Sequence, residues 1–204
     1  MPSIARVLAG TGKMTAQPKA RAKATGELVY TLIEHGLASA EGEAAVAVLR
    51  RLHASLPAGD PEDLYVLAAF CVAPLRWIDA HSWRATTRAE KAAAFRFYAG
   101  LADRMDIAGL PGSYDEFAVW MDDFEQRHFA VTPESQALYD ANRALLADRF
   151  PAPLGVLVRA LSDALLDERL RARRPARPVG ALVTAGLRWR AWSLNRRRPR
   201  PEAP

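Results

Sequence analysis

The sequence predicts an all-α fold: a single compact multi-helix domain closed by a basic C-terminal helix and tail. Three observations predict it. Alanine and leucine dominate the periodic segments, strand-type alternation never persists, and the breaks between segments carry helix caps and first-turn prolines. The chain has 204 residues, 50% of them hydrophobic and 25% charged, which is enough to bury a core at an ordinary globular composition. Residues 1–168 read as the helical domain and 169–204 as a basic, Pro/Arg-rich helix and tail.

A helix opens at RAKATGELVYTLIEHG, Arg21 to Gly36, where an apolar run stops at a histidine before a capping glycine. Arg21 and Thr25 stand one turn apart on it and face the same way, as a solvated pair or as a polar device aimed into a pocket. In EAAVAVLRRLHASL, Val46, Leu49, His53 and Leu56 recur along one apolar stripe, with Arg50 and Arg51 turned elsewhere. Asp60-Pro61 supplies an N-cap and a first-turn proline before EDLYVLAAFCVAPLRWIDAH, and Pro74 is expected to kink or break that helix. Thr87 with Glu90, and Ser113 with Glu116, have capping-box spacing ahead of two further helices. Thr132-Pro133 opens ESQALYDANRALLADRF, and Pro151 and Pro153 separate it from the last helical stretch.

Cys71, the single cysteine, excludes an internal disulfide and a Cys-based zinc site; in VLAAFCVAPL it reads as a buried, inert thiol. No secretory h-region stands at the N-terminus and no stretch approaches a membrane span, so the expected compartment is the cytoplasm. The net charge of +5 is unevenly spread. From Arg169 onward there are 11 arginines and one acid, Glu202, which leaves 17 basic and 22 acidic residues before it. No nucleic-acid module is visible, and an acidic body repels phosphate, so nucleic acid is excluded as a partner. Two readings of the tail stand. Val179, Leu182, Val183, Leu187, Trp189, Trp192 and Leu194 form an interfacial apolar face beside Arg188, Arg190 and Arg196–Arg198, or they form a final helix packed on the domain.

His35 and His81 read as helix-end histidines that complement the dipole. Glu125 and His128 make one Glu-x-x-His; a di-iron bundle needs two, so the pair reads as an exposed helix end, with Asp122 and Asp123 on the same solvated face. In RWIDAHSWR, Arg76, Asp79 and Arg84 read as a buried or half-buried ion network with Trp77 and Trp83 packed around it. His53 differs in lying on an apolar stripe. It is a hydrogen-bonded core histidine or a ligand, and one histidine with apolar walls is compatible with haem.

Several stretches together carry a resemblance: RAKATG; LRRLHASL, with its histidine about thirty residues later; and PLRWIDAHSWRATTRAEKAAAFRFYAGLADRMDIAGLPGSYDEFAVWMDDFEQRHF. The last is similar to an Arg-Trp-Ile-Asp, Gly-Trp-Arg, Met-x-Ile, Leu-Pro series, with Ser82 in place of the glycine. In this order and spacing the chain resembles the oxygenase family of the fungal mycophenolate-pathway oxygenase and the latex clearing proteins, from near its start to about Phe150. The resemblance implies haem b with His53 as axial ligand. It implies that Arg21 is a charged donor close to dioxygen or a haem propionate, and Thr25 a hydroxyl donor. It also implies a small apolar substrate, terpenoid or lipid-like, and dioxygen as partners. It leaves open whether the polypeptide starts upstream of Met1.

Two functional classes follow: a haem-dependent oxygenase, or a non-catalytic helical module held on a membrane surface or a partner protein by its basic end. The tail generates its own prediction. The full chain is expected to co-sediment weakly with anionic liposomes, and salt is expected to release it, whereas a chain ending at Glu168 is expected to stay in the supernatant. Equal sedimentation of the two removes the membrane role of the tail.

Overall fold

In the computed structural model, residues 1–10, 12, 16–54, 60–151, 154–155, 158–159, 186, 189 and 193 are described. Among them every regular element is a helix, so the all-α class holds. The helices are α1 Pro2–Gly10, α2 Pro18–His35, α3 Ala40–His53, α4 Asp60–His81, α5 Arg88–Arg104, α6 Tyr114–His128 and α7 Pro133–Ala147. The chain divides into two compact units, Met1–Pro74 with Arg88–Asn142, and Leu75–Thr87 with Arg143–Pro204. The boundary expected at residue 169 and the tail lie outside the described residues, except for Gly186, Trp189 and Ser193, which are helical, Trp189 being 68% exposed.

Caps fix the helix starts. Ser39 Oγ accepts the Gly42 amide at 2.9 Å and opens α3. Ser113 Oγ accepts the Glu116 amide at 3.2 Å, while the Glu116 carboxylate accepts the Gly112 amide at 2.9 Å, a capping box displaced by one residue on its return arm. At α7 the box is built from Thr132 and Ser135, each side-chain oxygen accepting the other's amide, at 3.2 and 2.9 Å. An N-terminal helix, α1, was not legible in the hydrophobic pattern; it buries Ala5.

In the first unit the core is a contribution from α2 to α7. Leu32, Val72, Cys71 and Phe117 are its largest fully buried side chains. Burying a side chain such as Phe117 contributes roughly 1.5–3 kcal/mol. On α6 the spacing FAVWMDDFEQRH places Phe117, Trp120, Phe124 and His128 on one face. Their rings follow one another at 6.0, 4.9 and 4.3 Å between centroids. Tyr65 of α4 packs on Phe124 at 5.5 Å, and its hydroxyl donates to Glu125 Oε1 at 3.1 Å.

Three expectations are corrected here, and of the kink or break expected at Pro74 the break is excluded. Glu125 is not on an exposed face: it is 6% exposed and tied to Tyr65, because α4 covers that side of α6. Pro74 does not break α4. The carbonyl that loses its partner belongs to Phe70, a residue 40% exposed, where water can replace the missing amide. The unbroken helix makes Pro61–His81 long and apolar enough to cross a membrane by length and composition, with a mean hydropathy of 1.2. In the first unit, however, α4 buries Leu64, Leu67, Ala68, Cys71 and Val72 in the protein core. In the second unit Trp77 and Trp83 are 47% and 69% exposed rather than packed around a network. Trp77 stacks on His81, Arg84 lies over Trp83 at 5.7 Å, and Asp79 Oδ1 accepts from the amide and hydroxyl of Thr86, both at 2.6 Å.

Among the described glycines the tightest backbone approach is at the α2–α3 turn. Gly36 has φ 80 and ψ 161, a conformation open essentially to glycine, and a Cβ at Gly42 would fall on the Gly36 carbonyl oxygen. Gly42→Ala is therefore expected to lower unfolding free energy by about 1–3 kcal/mol, the range for forced overpacking, measured by urea denaturation. A loss below about 0.5 kcal/mol means that the turn can open without cost.

Candidate functional site

The turn makes α2 and α3 an antiparallel pair. Counting back from Gly36 to Arg21 and forward from Ser39 to His53 gives arms of about the same length, roughly 21–23 Å at 1.5 Å per residue. Arg21 and His53 are thereby brought to one level of the hairpin. Arg21, Thr25 and His53 all line one cavity of about 300 Å³. Its walls are apolar: Leu28, Val29 and Leu32 from α2, Leu49 and Leu52 from α3, Val66, Leu67 and Phe70 from α4. Phe97, Tyr98 and Leu101 of α5, then Met105 and Ile107 beyond its end, close the remaining side.

The α2 face follows from spacing. Positions 21, 25, 28, 29 and 32 recur at three and four residues and so share one side, whereas Lys23 and Glu27 pair with each other at 3.6 Å on the solvent side. His53 donates from Nδ1 to the Leu49 carbonyl at 2.9 Å. A carbonyl can only accept, so Nδ1 carries a proton, and in the neutral ring the lone pair is then on Nε2. That is the tautomer a ligating imidazole needs. The bond alone does not single out His53, since His81 and His128 make the same contact with Trp77 and Phe124.

Nor does position in a helix single it out, contrary to the expectation that only the other three sit at helix ends. His35, His53, His81 and His128 each end a helix. His53 is the one among them that lines the cavity. Leu56, the last member of its expected apolar stripe, lies outside the described residues. Among the described residues no group of three or more His, Cys, Asp or Glu is placed to hold a metal ion, so chelation by a cluster is not an option there.

Three cavity residues were missed by reading the sequence. Asp63 adds a carboxylate, and Tyr98 a phenol. Both lie in segments whose periodicity reads as ordinary helix. Tyr98 is pushed above its usual pKa by burial and by the neighbouring Cys71. Met105, with Ile107, belongs to the Met-x-Ile element, which had no assigned role. Cys71 itself is 1% exposed and its thiol is pushed up from 9.0 to about 11 by burial.

These features define an all-α protein with a largely apolar cavity that bears a few polar groups, the form of a small-molecule site. Comparison with known proteins places it more closely. The model of the family described as "ER-bound oxygenase mpaB/B'/Rubber oxygenase, catalytic domain" matches residues 1–193, and the chain belongs to that family. Relatives in Penicillium brevicompactum named ER-bound oxygenase mpaB' and ER-bound oxygenase mpaB are 27% and 28% identical to it. The alignments cover 84% and 90% of this chain but 45% and 52% of those proteins. An ER-bound oxygenase mpaB of Penicillium roqueforti (strain FM164) is 25% identical over 84% of this chain and 63% of its own length. The chain thus spans about half the length of the first two. No solved structure matches it.

The buried thiol carries a prediction. In the native protein at pH 8, Cys71 is expected to resist Ellman's reagent and to react fully once unfolded. Between pH 9 and 11 the unfolded chain releases the thiol proton while the folded chain still holds it. The contribution of Cys71 to stability is therefore level below pH 9 and falls as pH rises toward 11. Fast stoichiometric labelling of the native protein at pH 8 contradicts this burial.

Proposed function

We propose that the chain is a haem-dependent oxygenase that acts on an apolar, terpenoid or lipid-like substrate with dioxygen. The carrying observation is that Arg21, Thr25 and His53, from two helices, line one apolar cavity. The family membership supports the oxygenase class. The residues fit a haem. His53 offers Nε2 from an oriented imidazole, aliphatic and aromatic walls suit a macrocycle, and the Arg21 guanidinium suits a propionate or an oxygen anion. Haem, when bound, supplies the iron that activates dioxygen.

The chain's own residues do the rest. His53 holds the cofactor from α3, its ring fixed by the Leu49 carbonyl. Arg21 presents a permanent positive charge in a setting of low polarity, where it stabilises developing negative charge better than it would in water. Thr25, one turn on, offers a hydroxyl donor to the same space. Leu28, Leu49 and Val66 exclude water and bind the hydrocarbon. The proposal sets the protein in the cytoplasm, peripheral to a membrane from which an apolar substrate is drawn.

Reconstitution with haemin tests this. Wild type is expected to develop a Soret band. His53→Ala is expected to lose most of it while keeping its helical circular dichroism. Arg21→Ala is expected to keep the band but to slow terpenoid-dependent oxygen uptake on the order of 10²-fold, the scale of losing one charge-stabilising donor. A wild type that stays helical and monodisperse yet takes up no haem overturns the reading. A normal spectrum in His53→Ala moves the ligand to another histidine.

A further inference from the structure

We propose that the turn following α5 is the wall that selects substrates by shape, and that Arg50 is the positioning residue that holds it. This rests on reading the cavity as the substrate site. Met105 and Ile107 both line the cavity, and Asp106 between them does not. The alternation follows from an unusual backbone. Asp106 has φ 57, the only non-glycine among the described residues with positive φ, and the Ile107 amide bonds back to the Ala102 carbonyl at 3.0 Å. This left-handed step ends α5 and turns the residues on either side of Asp106 toward the cavity. Aspartate tolerates that conformation, where a β-branched residue would not.

Arg50 grips the turn at two points. Its Nη1 donates to the Arg104 carbonyl at 3.0 Å and its Nη2 to Asp106 Oδ2 at 2.6 Å. Arg50 stands one residue after Leu49 and one turn before His53 on α3. The clasp therefore sets the position of the Met105 and Ile107 wall relative to the helix that carries His53. The ion pair is solvent-exposed, with side chains 54% and 71% accessible, so it contributes little to global stability. Its consequence is geometric: a planar guanidinium with two anchors fixes both distance and direction, which a lysine cannot do. A flexible methionine beside a branched isoleucine makes a wall whose shape responds to small shifts of the turn. Selection here is by chain length and cross-section of an apolar substrate, not by its polar groups.

The test uses the full-length protein with N-phenyl-1-naphthylamine as a fluorescent cavity probe, displaced by linear primary alcohols from octanol to hexadecanol. The readout is the ratio of hexadecanol to octanol affinity. Ile107→Ala and Met105→Ala are expected to raise it about tenfold, the scale of one or two methylenes in an apolar pocket. Arg50→Ala and Asp106→Asn are expected to move it in the same direction with an unchanged melting temperature, and Arg50→Lys is expected to restore it only in part. Exposed Arg51, which does not line the cavity, serves as control: Arg51→Ala is expected to match wild type. Should Arg50→Ala lose its fold, Asp106→Asn and the single-methyl Ile107→Val decide instead. Ratios within twofold of wild type in the clasp variants and in Ile107→Val overturn the proposal. Failure of every alcohol to displace the probe from wild type overturns it together with the cavity reading. Ratios that shift in a protein without a Soret band leave the wall standing and remove only the haem.

Discussion

The close approach of the Gly36 carbonyl to Gly42 is the constraint on which the rest of the site depends. It is possible only because Gly42 offers no side chain there and because Gly36 adopts a backbone closed to other residues. Ser39 completes the joint by donating to the Gly36 carbonyl at 3.1 Å and accepting the Gly42 amide. With the turn this tight, α2 returns along α3 with no slack. The register of every later pair, including Arg21 against His53, is then set by counting residues along two rigid helices. A looser turn would leave the same residues on the same helix faces but at different heights.

The cavity gains its character from what surrounds those two helices. The α4 helix presents Val66, Leu67 and Phe70 to the cavity and Leu64, Ala68, Cys71 and Val72 to the core of the first unit, and α6 carries the ring ladder of Phe117, Trp120 and Phe124. That packing covers one side of the helix, and 28% of its apolar span is buried in the protein. It explains the buried Glu125, whose carboxylate needs the Tyr65 hydroxyl once α4 removes it from water. The deep neighbours Cys71 and Tyr98 are held neutral by the same burial, so they add no charge to an apolar chamber. Arg21, Thr25, Asp63 and His53 are the other polar groups set in its lining, few enough for each to direct chemistry.

Membership of an oxygenase family and the composition of the cavity are the two findings on which the proposed function rests. The relatives extend well beyond the matched region, and the chain holds within its own residues the cavity that the reading uses.

The sequence by itself determined the helical class, the main caps at Ser113 and Thr132, the capping role of Gly36, the inert setting of Cys71, and the shared side of Arg21 and Thr25. These depend on neighbours within a few positions, where periodicity and capping chemistry act. Only the tertiary structure decided which histidine meets the cavity, because all four end helices and local pattern cannot rank them. It alone decided that Glu125 is buried, that Trp77 and Trp83 are exposed, and that Asp63, Tyr98 and Met105 join the lining. Whether a helix face is wet or dry depends on which distant helix lies over it, and no spacing along one chain segment records that contact. The Asp106 turn marks the border between the two: a Met-x-Ile pattern is visible in the sequence, but its left-handed middle residue and its clasp to Arg50 exist only once α3 and the end of α5 lie side by side.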